Sequence, residues 1–318
     1  MSEDITVEEV SSYELLDAST LDNRAIPKFQ PQEWDKGGFD IQSWLERTAT
    51  NRLADTEFGG KKNILGPTEA VMTDPLLNQV CKTDLAVFLT AEKVSMNNLC
   101  QMVSFAPDEA SQVFLATQSL DEARHYEVFC RRLADLGVKP EEREQMVKDM
   151  TMPKMQQFYD LINEQVDKKA FIPALLAHNV VLEGMVYPFY RYEIRYWSRL
   201  DPALSNIIRN VFADEVQHVS YGEHFIAQEA RMGSPMRATI QKLAGEFHQL
   251  MSEVFEEAIT NLIGIYQASA DKHASIMADV EIFPGMKMGN MSEEDQTRRL
   301  LSEIQEEYQK RLQAIGFA

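Results

Sequence analysis

From about residue 66 onward glycine and proline become scarce, β-branched alternation is missing, and apolar residues recur at i, i+3, i+4 and i+7 over long spans. A chain patterned in this way buries its apolar surface as packed helices. The punctuation sets the helix boundaries. Ala106-Pro107-Asp108 separates a helix of about 74–105 from one of about 108–136, which Gly137 closes with Pro140 beyond. A shorter helix covers 152–166 and a long one 169–199. Asp201-Pro202 supplies an N-cap and an N1 proline for a helix that runs to Met232 and stops at Gly233, and Ser234-Pro235 opens another over 235–268. The stretch DVEIFPGMKMGNM reads as a loop, and Ser292-Glu293-Glu294 starts a last amphipathic helix over 292–316. Residues 1–65 carry Pro27, Pro31, Gly37-Gly38 and Gly59-Gly60 and read as an arm laid on the main body, with one helix near 41–54. The expected architecture is all-α, with the arm at 1–65 and one helical domain at 66–318 built on four long central helices.

Two copies of one short word sit on those helices: Asp121-Glu122-Ala123-Arg124-His125 and Asp214-Glu215-Val216-Gln217-His218. Residues three apart share a helix face, so each copy offers a carboxylate and an imidazole to one point in space. Glu92 and Glu122 stand at equal distances on either side of Pro107, and folded antiparallel they meet at one height, roughly 22 Å from the turn at about 1.5 Å per residue. Glu183 and Glu215 flank Asp201 in the same manner, with a looser match.

Burial sharpens the pattern. Between Phe171 and Tyr190 the segment FIPALLAHNVVLEGMVYPFY carries a single formal charge, Glu183, on a helix apolar nearly all round. A carboxylate so placed needs a cation, because an unpaired buried charge costs many kcal/mol. Lys93 beside Glu92 points about 100° away and cannot serve the inward face. Four carboxylates (Glu92, Glu122, Glu183, Glu215) and two imidazoles (His125, His218) converging in a bundle core make a site for two divalent metals, and the mixed oxygen and nitrogen donors suit iron or manganese. Asp121 and Asp214, each one residue before a motif Glu, are expected to hydrogen-bond the histidine of the facing helix. His178, five residues before Glu183, is either a satisfied core histidine or a group bordering the metals or substrate. Side chains one turn from the ligands, Phe88, Met96, Phe129, Val180, Tyr187, Val211 and Phe212, are expected to line an apolar substrate cavity.

Charge and cysteine usage narrow the partners. A formal net charge of -19 over 318 residues disfavours nucleic acid and anionic membranes. The three cysteines lie in apolar periodic stretches rather than in a disulfide framework, and the acidic N-terminus shows no secretory pattern, so a cytoplasmic protein with reduced thiols is expected.

The segments LDEARHYEVFCRRLADLGV, HNVVLEGM and ADEVQHVSYG resemble the metal helices of the ferritin-like di-iron carboxylate superfamily, and within it those of the ribonucleotide reductase small subunit and its ligand-binding oxidase relatives. The resemblance covers about 75–265. It implies a ferritin-like bundle and two iron ions, or one manganese and one iron. It further implies O2 as co-substrate, an external electron donor, a small-molecule substrate and a homodimer. The reaction implied is an oxidase or monooxygenase step in a biosynthetic pathway; the alternatives are a radical-generating reductase subunit and an iron-handling protein without organic substrate. Where reductase subunits usually carry a radical-bearing tyrosine, four residues after the first metal histidine, this chain has Phe129, and it ends QAIGFA without the tail tyrosine. The Val–Tyr crosslink of the ligand-binding oxidases falls on Met96 and His178, which cannot form it. The extra histidine ligand of some N-oxygenating members falls on Val211.

Overall fold

A computed structural model describes residues 66–317 except 232, so the arm and its expected helix near 41–54 lie outside the described residues. Helix α1 (Glu69–Thr73) leads into α2 (Pro75–Met102), whose N-cap Asp74 accepts from the amides of Leu76 (2.9 Å) and Leu77 (3.3 Å). Such a cap contributes about 1 kcal/mol. A short 3-10 turn, Val103–Phe105, carries the chain into α3 (Glu109–Asp135). Gly137, at φ 81, ends that helix: its amide bonds the carbonyl of Ala134 and the amide of Val138 bonds that of Leu133, the paired closure that a left-handed glycine permits. Helices α4 (Pro140–Met150) and α5 (Pro153–Asp167) follow. Pro140, read from the sequence as the end of one helix, is also the N1 residue of the next.

The expected helix of 169–199 is interrupted. It begins as α6 (Phe171–Leu175), widens into a π-helical segment, Leu176–Leu182, resumes as α7 (Glu183–Met185), and restarts at α8 (Tyr187–Leu200). Pro188 explains the restart, since its missing N–H removes a ladder bond. Helix α9 (Pro202–Glu229) ends short of the expected Met232 and is capped by Asp201, which accepts from Leu204 N at 3.0 Å. Gly222 of α9 lies against the π-helical segment, where a Cβ would come within 2.6 Å of the Asn179 Cβ, so a glycine is what permits this approach. Helices α10 (Arg237–Lys272) and α11 (Ala274–Met277) complete the body. The expected loop contains a small antiparallel ribbon, β1 (Glu281–Phe283) with β2 (Met286–Lys287), turned at Gly285 with φ 74. Ser292 then opens α12 (Glu293–Ala314) with a capping box to Asp295.

The core is built by α2 against α3 and α8 against α9, with α10 laid across α5 and the π-helical segment. Leu77, Leu85, Leu89, Leu133 and Ile207 are among its fully buried side chains, each contributing about 1.5–3 kcal/mol. Among the described residues one span, Phe171–Leu200, is apolar and long enough by composition to cross a membrane, and 72% of its most apolar window is buried inside the molecule.

Two buried acids tie three helices together. Trp197 Nε1 donates to Asp84 Oδ2 and to Glu193 Oε2, both at 2.8 Å, and the Tyr266 hydroxyl reaches the other oxygen of each. Burial pushes the Asp84 carboxyl up to about 7; burial and then the charge of Asp84 hold Glu193 well above the ordinary range. The folded chain therefore keeps protons that the unfolded chain releases above about pH 4, and stability falls as pH rises from there through about 7. Thermal melts of the metal-free protein are expected to show Tm declining from pH 5 to pH 8, and Asp84→Asn should flatten the decline. An unchanged slope in that variant would remove this protonation account.

Candidate metal centre

Four helical segments bring the six acids and histidines to one place. Glu92 comes from α2, Glu122 and His125 from α3, Glu183 from the first turn of α7, and Glu215 and His218 from α9, and all six are buried. Their donor atoms form two overlapping groups, each within 4.8 Å: Glu92, Glu122, His125 and Glu215 in one, and Glu122, Glu183, Glu215 and His218 in the other. Glu122 and Glu215 are common to both.

The atom pairing shows how the sharing is arranged. Glu122 Oε2 lies 3.5 Å from His125 Nδ1, and its Oε1 lies 3.2 Å from His218 Nδ1. Glu215 repeats this with Oε1 at 3.5 Å from His125 Nδ1 and Oε2 at 3.1 Å from His218 Nδ1. Glu92 Oε2 stands 3.4 Å from His125 Nδ1, and Glu183 Oε2 stands 3.9 Å from His218 Nδ1. Each of the two central carboxylates thus spans the gap between the two imidazoles.

The opposite ring nitrogens face the aspartates across the bundle. His125 Nε2 is 3.2 Å from Asp214 Oδ2, and His218 Nε2 is 3.5 Å from Asp121 Oδ2. A carboxylate acting on one ring nitrogen fixes the tautomer and leaves the other nitrogen free to accept a cation. Arg124 closes this layer by pairing with Asp121 and standing 3.6 Å from Asp214 Oδ2. The sequence reading passed over that arginine, although its place three residues after Asp121 within the repeated word was a signal.

The electrostatics are those of a site short of positive charge. Burial, followed by the charge of Glu122, pushes Glu92 well above the ordinary carboxylate range, and burial with Glu122 and Glu183 does the same to Glu215. Burial also acts to raise Glu122, but the two histidines outweigh it and hold that carboxyl well below the range. Glu122 Oε1, His125 Nδ1 and Glu183 Oε2 are buried without a hydrogen-bond partner. Orphaned donor atoms of these types, clustered and dry, fit metal ions. Two divalent cations would neutralise four carboxylates, so the donor set fits a dimetal site in charge as well as in number.

An apolar cavity of about 90 Å3 adjoins the cluster, and Glu92, Glu122, Glu183 and Glu215 form its floor. Phe88, Ala91 and Ser95 of α2, Met155 and Tyr159 of α5, and Val186, Phe189 and Tyr190 around the start of α8 form its sides. Met251, Val254, Phe255, Ala258, Ile259 and Leu262 of α10 close it over a stretch of roughly 16 Å at 1.5 Å per residue. Of the seven side chains expected from the sequence to line the cavity, Phe88 does so. Phe129 stacks behind Phe88 at 5.1 Å, Phe212 stacks behind Tyr190 at 5.5 Å, and the Tyr187 hydroxyl turns to the Glu215 carbonyl at 3.3 Å. Val180 packs toward Gly222, Val211 is fully buried, Met96 is half-buried, and none of these six is in the lining. The sequence reading considered only the ligand-bearing helices, whereas α10, which carries no ligand, supplies one whole wall.

A sequence model of the ribonucleotide reductase small chain matches residues 77–281, a span that holds all six clustered side chains. The chain belongs to that family. No curated protein matches it. Among solved structures, an R2-like ligand-binding oxidase with aerobically reconstituted metal cofactor after photoconversion is similar at 13% identity, TM-score 0.59, covering 100% of both chains. Another, with aerobically reconstituted Mn/Fe cofactor, is similar at 13% identity and TM-score 0.59, covering 99% of this chain and 98% of that one. A variant with aerobically reconstituted Fe/Fe cofactor gives 14% identity and TM-score 0.58, covering 99% of each. This small chain family member therefore has the all-α, ferritin-like fold.

Proposed function

We propose that this small chain family member is a dimetal oxidase that uses O2 to oxidise an apolar organic molecule held in the cavity. The observation that carries the reading is the juxtaposition of a buried four-carboxylate, two-histidine cluster with a cavity whose remaining walls are almost wholly apolar. Glu92, Glu122, His125 and Glu215 would hold one ion, and Glu122, Glu183, Glu215 and His218 the other. Iron in both positions, or manganese with iron, suits these donors, and solved relatives of the fold carry both combinations. A reduced pair of such ions supplies the electrons that O2 requires, and an external donor restores them.

The protein side of the reaction follows from the walls. Asp121 and Asp214 fix the histidine tautomers, and Arg124 balances the charge of those aspartates. Phe88, Tyr190 and the α10 side chains exclude water and orient an apolar substrate toward the carboxylate floor. Phe129 offers no phenol for a stable radical, and an apolar chamber has no use in iron storage. Both features favour the oxidase over its two rivals.

The test is O2 consumption by the Fe(II)-loaded protein with and without a panel of alkyl and aryl compounds, with products followed by mass. Wild type should consume O2 and add oxygen to, or remove hydrogen from, some of the panel. Ala258→Phe, which fills the cavity from α10, should keep two irons and lose product formation by at least about tenfold. A doubly loaded wild type that consumes no O2 would end the oxidase reading.

A further inference from the structure

The π-helical segment places a histidine where an α-helix would not. Five residues along an α-helix turn the chain through about 500°, so residues 178 and 183 would point roughly 140° apart. In the π-helical segment the Glu183 amide bonds the His178 carbonyl, the i→i+5 pattern that makes five residues close to one turn. His178 consequently stands over Glu183, with Nδ1 3.1 Å from Oε1, and the imidazole is fully buried.

The same oxygen is engaged from another helix. Gln118 of α3 donates from Nε2 to Glu183 Oε1 at 3.0 Å. The Gln118 amide is itself oriented, because Asn179 Nδ2 donates to its Oε1 at 2.9 Å and to the His218 carbonyl at 3.0 Å. Glu183 Oε2 has no hydrogen-bond partner and faces the His218 side of the cluster. The two oxygens of Glu183 are thus unlike. This contrasts with Glu122 and Glu215, whose oxygens are divided between the two imidazoles.

We infer that His178 is a positioning residue that, with Gln118, occupies Glu183 Oε1 and so holds Glu183 to a single-oxygen attachment at the second ion. The inference rests on the dimetal reading above. A carboxylate free to swing would grip the ion with both oxygens and take up a further coordination position. Holding Oε1 between the Gln118 amide donor and the His178 ring keeps that position available.

Three variants and two readouts test this: His178→Leu removes the ring nitrogens, Gln118→Leu removes the second donor from a different helix, and His178→Asn retains an amide N–H near the place of Nδ1. Iron content and near-infrared magnetic circular dichroism of the Fe(II)-loaded proteins report stoichiometry and the ligand number at each ion. Both leucine variants should shift the ligand-field bands of one ion toward a higher ligand number while sparing the other, with two irons still bound. His178→Asn should keep the wild-type spectrum. If His178→Leu does not fold, Gln118→Leu carries the same comparison. Leucine variants with wild-type spectra, or an asparagine variant displaced as far as His178→Leu, would overturn the positioning role while leaving the dimetal site intact. A wild type that takes up no iron would instead remove the dimetal reading together with this inference.

Discussion

Glu215→Gln is expected to abolish loading of both ions and, at the same time, to make the metal-free protein more stable. Glu215 faces both histidines, one through each oxygen, so no single-ion site survives its neutralisation. Burial and the charges of Glu122 and Glu183 push its carboxyl well above the ordinary range, which means that the metal-free fold resists its ionisation. The amide keeps the shape and removes the repelled charge. A gain on the order of 1–2 kcal/mol follows, or about 1.5–3 °C in Tm at this chain length. Thermal melts with and without Fe(II) separate the effects: wild type should gain stability on loading and the variant should not. A variant that still binds two ions, or one less stable than wild type without metal, would contradict the bridging role.

The second large effect is purely structural. Arg132 on α3 pairs with Asp201, the cap of α9, and both side chains are almost wholly buried. Burial alone raises the Asp201 carboxyl, and Arg132 opposes that rise. Arg132→Met would leave a buried charge without its cation and loosen the start of the helix that carries Glu215 and His218. The expected cost is about 3–5 kcal/mol. Adding Asp201→Asn, which retains a capping oxygen, should recover part of it. Urea unfolding of the metal-free proteins measures both, and a loss below about 1 kcal/mol for Arg132→Met would mean that the pair is well solvated after all.

Much of this architecture was legible in the sequence because it rests on local physics. Asp74-Pro75 and Asp201-Pro202 each announce a helix start through a side-chain oxygen and a fixed φ, Asp108 and Ser292 do so through the oxygen alone, and Gly137 announces a stop through its left-handed conformation. Equal spacing about Pro107 was enough to place Glu92 beside Glu122. The π-helical turn was hidden, because apolar periodicity in FIPALLAHNVVLEGM is uniform on all faces and gives no sign that one residue has been accommodated. His178 therefore stood on an undecided face. Gln118 and Asn179 were equally silent, being neutral polar residues whose roles depend on a partner more than 60 positions away. The cavity wall from α10 is a tertiary fact, since its apolar face looks like any packed helix until the floor beneath it is known.

The central claim is that six side chains from four helical segments hold two transition-metal ions. Elemental analysis of protein loaded with Fe(II) alone, and with Fe(II) and Mn(II) together, measures it directly. The account predicts two ions per chain in each case, falling to none in Glu215→Gln. A wild-type chain that binds no transition metal under either condition, or binds it undiminished in that variant, would contradict it.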